Sequence, residues 1–255
     1  MWDHPPADDD RSTPAIVLVH GSMDRAGSFA RVVSQLPGHR VIRYDRRGYG
    51  ESIDAGPPAT LADHVADLAA VVEERAGGPA VVIGHSLGGT VVIVLAQRRP
   101  DLVAAAGAYE APRSWEPWWP EASAGSEAVA ADDAGDAAER FMRRMVGDAR
   151  WEGLADGVRS ARRAEGPALL AELRSLREAP AYDEAAITVP VLLARGSEAR
   201  PQHVRGMTAL ASALPGHPVV TVLDGADHGV HLSHPGDFAT WIEQVWEVGA
   251  RPLRA

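Results

Sequence analysis

Residues 80–100 read AVVIGHSLGGTVVIVLAQRRP, and they restrict the fold more than any other part of the chain. The first six form an apolar run without polar alternation, the pattern of a strand covered on both faces. The last fourteen, LGGTVVIVLAQRRP, read as a buried helix with a basic final turn and a terminating proline. Between the two elements lies only a short turn rich in glycine. A buried strand feeding directly into a buried helix predicts a parallel sheet with helices packed on its faces.

The rest of the chain repeats this rhythm. Strands are predicted at 15–20, 39–45, 102–109, 189–196 and 217–225, and helices at 27–36, 61–78, 201–214 and 236–249. Strands alternating with helices give an α/β class with a mostly parallel sheet. One long stretch breaks the alternation. Residues 111–185 contain no strand pattern, are rich in Ala, Glu and Arg, and predict helices at 137–147, 154–164 and 167–179. The expected organisation is therefore a core of 1–110 and 186–255 with an all-helical insertion at 111–185. A chain of 255 residues suits one domain carrying one large insertion. The segment 122–137, ASAGSEAVAADDAGDA, is compositionally biased.

Several function classes fall away. The net charge of -10 disfavours nucleic acid and anionic membranes as partners, because both reward a basic surface. With no cysteine there is no disulfide, thiolate metal site or cysteine nucleophile. No apolar run has the length of a membrane span, and the N-terminal MWDHPPADDD lacks a signal-peptide core, so a cytoplasmic protein is expected. Asp54, Asp63 and Asp67 have no metal-ligand pattern around them. No metal or cofactor is expected, and the partner is a small-molecule substrate.

The turn GHSLGG, residues 84–89, fits G-x-S-x-G. In a sharp strand-to-helix turn, Ser86 is pushed clear of the backbone, and Gly84 and Gly88 leave room for tight packing. A serine hydroxyl is a weak nucleophile and needs a base beside it.

Here the chain resembles the α/β-hydrolase superfamily. The matching pieces, in order, are VLVHGS (17–22), RYDRRGYGES (43–52), VIGHSLGG (82–89), PVLLARG (190–196) and DGADHGVHLSHP (224–235). The resemblance covers most of 14–250 and implies acyl-transfer hydrolysis by a serine, a histidine and an acid. The family places its base in the loop after the last strand. His228 fits the G-x-x-H spacing from Gly225, with His231 and His234 as nearby rivals. Resemblance also implies an oxyanion hole made by the amides of Leu87 and Ser22, with Met23 beside it lining the pocket. His20 and His85 flank the site as structural or pocket-lining residues. Asp45, Arg46 and Arg47 form a charged turn read as structural.

The acid departs from the usual pattern. Most of the superfamily carries it in a G-x-x-D pattern, but here RGSEARP puts Ala199 at that place and Glu198 one position early. Some branches carry the acid after the strand that follows the nucleophile helix, and Glu110 ends that strand. Neighbouring parallel strands lie about 5 Å apart, so either carboxylate can reach one imidazole. Glu110 is the better explained, because an acid beside an apolar strand end needs a partner. Trp115, Trp118 and Trp119 follow it; in the family such an insertion caps the nucleophile, so these rings are expected either to wall an apolar pocket or to pack the cap onto the core. Only about fourteen residues precede VLVHG, so the family's first two strands are expected to be reduced or absent and about six strands to be parallel.

The expected function is a serine esterase cleaving a small ester, thioester or lactone through an acyl-enzyme, without cofactors. Carbon–carbon bond hydrolysis on the same triad, or a ligand-binding receptor that keeps the fold, are the alternatives; peroxide is a conceivable second acceptor.

Overall fold

A computed structural model describes residues 1–6 and 13–251. Seven strands form one sheet: β1 (Trp2–His4), β2 (Ile16–Val19), β3 (Val41–Arg43), β4 (Ala80–His85), β5 (Val103–Tyr109), β6 (Val191–Gly196) and β7 (Val220–Leu223). Their spatial order is β1-β3-β2-β4-β5-β6-β7. Six strands are parallel; β1 alone runs antiparallel, pairing Trp2 with Arg43. The reduced edge expected from the short N-terminus is thus a single three-residue strand. Every residue of β2 and β4 is buried, as the unalternating apolar runs require.

The chain divides into two compact units, Met1–Tyr44 with Val65–Pro112 and Ala181–Ala255, and Asp45–His64 with Arg113–Pro180. The first contains the sheet. β5 is made of small residues because helix Pro235–Gly249 packs closely on it: a Cβ at Gly107 would stand 3.0 Å from the Trp241 ring and 2.7 Å from Ile83. Trp241, Ile242 and Val245 fill that side together with Ile83, Tyr109 and Phe238. Large helix side chains on a nearly bare strand give dense packing without voids.

The second unit holds helices Ala124–Val129, Ala134–Val146, Asp148–Glu152, Asp156–Ala164 and Gly166–Glu178. The biased stretch 122–137 falls largely in the first two. Each begins with a side-chain cap: Ser123 accepts from the Ser126 amide and Asp133 from the Asp136 amide. Residues 45–64, read from sequence with the core, group with this unit instead. The reason is a buried ion cluster. Arg46 Nη1 donates to Glu172 Oε2 at 2.8 Å, Tyr49 donates to Glu172 Oε1 at 2.7 Å, and His64 Nε2 stands 3.1 Å from Glu172. The charged turn 45–47 therefore owes its Arg46 to an internal carboxylate. Among the described residues no helix is long and apolar enough to cross a membrane.

Candidate active site

Strand register aligns the carboxyl ends of the central strands. His85 pairs with Tyr109, Tyr109 with Ala194, and Gly196 with Leu223. The residues that follow β4, β5 and β7 are therefore delivered to one edge of the sheet, where parallel α/β sheets bind ligands. Ser86 comes next after β4, Glu110 next after β5, and His228 in the loop after β7.

Ser86 has φ 54° and ψ -125°, a conformation disfavoured for a residue with a side chain. It is held by two hydrogen bonds: its amide donates to the Tyr109 carbonyl at 2.8 Å and its carbonyl accepts from Gly89 at 2.8 Å. The helix Leu87–Arg98 starts immediately after it. A Cβ at Gly88 would stand 2.2 Å from the Val19 carbonyl oxygen, so only glycine lets this helix begin against β2. Leu87 is buried, and its amide belongs to the first turn, whose N–H groups have no intrahelical acceptor.

The turn after β2 runs beside the nucleophile. A Cβ at Gly21 would lie 2.9 Å from the Ser86 Cβ. Ser22 is half-buried, and Met23 is buried with φ 56°. The left-handed residues at 23, 86 and 110 all lie in the segments that carry the candidate groups.

Glu110 is fully buried, with φ 45°. Its Oε2 lies 2.6 Å from His228 Nδ1, and its Oε1 accepts from the Gly196 amide at 3.0 Å. Burial opposes ionisation of this carboxyl, but the bond to His228, its charge and the Gly196 amide outweigh it, so the pKa falls below the ordinary value. The contact leaves His228 Nε2 as the second ring nitrogen. Glu198, the rival acid, is exposed and has only Ser197 Oγ at 3.4 Å. His234 is paired with Ser233 Oγ at 2.9 Å, away from the acid, and His231 stands against Asp24 at 3.1 Å.

Three further residues hold the His228 loop. Tyr109, fully buried, donates to the Asp227 carbonyl at 2.7 Å. His85 Nε2 lies 2.6 Å from the His228 carbonyl, which gives this residue a holding contact rather than an open pocket face. His203 stacks on His228 at 4.6 Å and hydrogen-bonds the Glu110 backbone. Burial, then the charge of His228, pushes the His203 pKa down to about 3, so this ring is neutral at physiological pH. Sequence reading missed His203, since a histidine on a helix after β6 carries no local signal of its destination. His20 is fully buried and its Nδ1 contacts the Gly21 carbonyl at 2.8 Å.

Trp115, Trp118 and Trp119 fall in the second unit and are half-buried. Arg113 lies over Trp115 at 5.2 Å, and Trp118 and Trp119 are 6.1 Å apart.

Residues 16–241 match the alpha/beta hydrolase family. The chain belongs to that family. This α/β hydrolase spans about a third of the length of the first curated relatives it matches. One is Lipase LipV of Mycobacterium tuberculosis, 41% identical over 95 residues, 37% of this chain and 36% of that one. A longer match is the pimeloyl-[acyl-carrier protein] methyl ester esterase of Yersinia pseudotuberculosis, 30% identical over 244 residues, 89% of this chain and 91% of that one. Among solved structures, the enol-lactonase from Burkholderia xenovorans LB400 superposes with a TM-score of 0.71 at 20% identity, covering 96% of this chain and 95% of that one, which shows the shared fold.

Proposed function

We propose that this α/β hydrolase is a serine esterase that cleaves a small carboxylic ester, thioester or lactone through an acyl-enzyme. Ser86 attacks the carbonyl and His228 takes its proton. Ionised Glu110 orients the imidazole and stabilises the imidazolium formed during attack. The amides of Leu87 and Ser22 receive the oxyanion, Leu87 with the added field of the helix N-terminus. The imidazolium then returns its proton to the leaving alcohol. Water enters, gives a proton to His228, and attacks the acyl carbonyl to free the acid and Ser86. Met23 lines the reacting end of the acyl site.

The observation that carries this reading is the 2.6 Å contact between a buried glutamate and His228 Nδ1. A buried carboxylate needs a partner, and one whose partner has a free second nitrogen near a strained serine turn is equipped for general base catalysis. The test is turnover of p-nitrophenyl esters of graded chain length together with labelling by a fluorophosphonate. Multiple turnovers, a single label on Ser86 and loss of both in Ser86→Ala are expected. One turnover only would make the protein a receptor. A label on Ser22 would exchange nucleophile and oxyanion turn.

A further inference from the structure

Asp24, His85 and His231 stand together close to Ser86, yet the proposed reaction uses none of them for proton transfer or attack. They come from three segments: the turn after β2, the last residue of β4 and the short helix Val230–Ser233. One ligand-type atom from each lies within 4.8 Å of the others.

The hydrogen bonding of this cluster is incomplete. His231 is 3% exposed; its Nε2 is paired with Asp24 Oδ2 at 3.1 Å, while its Nδ1 has no hydrogen-bond partner. A buried ring nitrogen left without a partner costs about 1–3 kcal/mol. His85 is equally informative. Its Nε2 meets the His228 carbonyl at 2.6 Å. A carbonyl can only accept, so that nitrogen carries the proton and Nδ1 carries a lone pair. This Nδ1 is buried and has no partner.

We propose that Asp24, His85 and His231 bind one divalent transition-metal ion, with Zn2+ as the fitting case. Two imidazole nitrogens and one carboxylate suit Zn2+, Co2+ or Ni2+, whereas Mg2+ and Ca2+ take oxygen ligands. Bond lengths near 2.1 Å put tetrahedral ligand atoms about 3.4 Å apart, comparable with the separation of Asp24 from His231. The surroundings match as well. A metal-bound imidazole usually donates its other N–H to a carbonyl or carboxylate, as His85 does. A ligating carboxylate is usually itself hydrogen-bonded, and Ser28 Oγ lies 3.0 Å from Asp24 Oδ2, its single proton shared with the Arg25 carbonyl at 2.7 Å. The Asp24 side chain is 21% exposed, which provides an entry route and a fourth position for water.

A second trio, Glu110, His203 and His228, has a similar spread. There the groups are already engaged: His228 Nδ1 with Glu110 Oε2, and His203 with the Glu110 backbone. An ion would have to displace the acid–base pair. The open lone pairs lie in the first trio. The bound ion ties together the segments carrying Ser22, Ser86 and His228, so its role is structural.

The experiment uses the full chain treated with EDTA and titrated with Co2+ and Zn2+. One Co2+ per chain with the visible spectrum of a four-coordinate ion is expected, as is a melting temperature that rises with Zn2+ concentration. His231→Gln and Asp24→Asn should each weaken Co2+ binding at least about a hundredfold, while His203→Gln leaves it unchanged. Folding of each variant is checked by circular dichroism, and two independent ligand substitutions guard against one that fails to fold. Absence of stoichiometric Co2+ binding in the wild-type chain overturns the proposal. So does binding that survives both ligand substitutions or disappears in His203→Gln. These readouts do not depend on esterase activity, so they stand or fall apart from the assignment of Ser86.

Discussion

Glu110 and Glu172 are both fully buried glutamates, one in each unit of the molecule, and their partners differ. Glu172 faces Arg46, a group that never loses its charge, and the fully buried imidazole of His64, with Tyr49 donating to its other oxygen. Glu110 faces His228, an imidazole with 16% of its side chain exposed, and gives its second oxygen to a backbone amide. A permanently charged partner saturates the carboxylate and leaves nothing to exchange. An imidazole partner keeps a second nitrogen that can take and return a proton. Burial of an acid, even beside an imidazole, therefore does not mark a catalytic site; His64 is sealed in with Arg46, whereas His228 has no competing cation on its carboxylate and reaches solvent.

Breaking the saturated pair should show as stability. Glu172→Gln removes the charge and leaves Arg46 buried without its counter-ion, which should cost about 3 kcal/mol in urea unfolding. Burial acts to raise the Glu172 pKa, but Arg46 and His64 override it and hold it at about 2, against 4.5 for the ordinary group. Between those values the unfolded chain binds more protons than the folded one. The stabilisation is thus complete above about pH 4.5 and fades as pH falls towards 2. A Glu172→Gln variant should have a shallower acid limb in its stability profile; an identical slope would assign the acid loss to other carboxylates.

The smallest effect is expected at Glu198, the rival acid in the loop after β6. Glu198 is exposed, and Glu198→Gln should change kcat by less than about threefold, as for a surface charge. A larger loss would give Glu198 a part in the reaction that its position in the loop after β6 does not explain.

Most of this architecture was readable in the chain because its signals are local. Unbroken apolar runs announced β2, β4 and β5, and the glycine turn between β4 and its helix announced Ser86. Glu110 was readable for a related reason, as an acid at the end of an apolar strand. What escaped was set by distant contacts. Arg46 and Glu172 are 126 residues apart, so their pair draws 45–64 towards the helical segment without leaving a motif. His203 and the Asp24–His85–His231 cluster are assembled only when separate loops meet beyond the strand ends. No periodicity encodes that meeting. The helix at 124–129 and the first turn of the helix at 134–146 were obscured by a monotonous composition in which Ser123 and Asp133 are the real start signals.

The central claim is that Glu110, through His228, serves the reaction, and Glu110→Gln tests it most directly. The substitution keeps size and removes the charge that stabilises the imidazolium. With p-nitrophenyl acetate at saturating concentration, kcat should fall at least about a hundredfold, with KM little changed. A kcat within threefold of the wild type, in a variant that remains folded, would contradict the account.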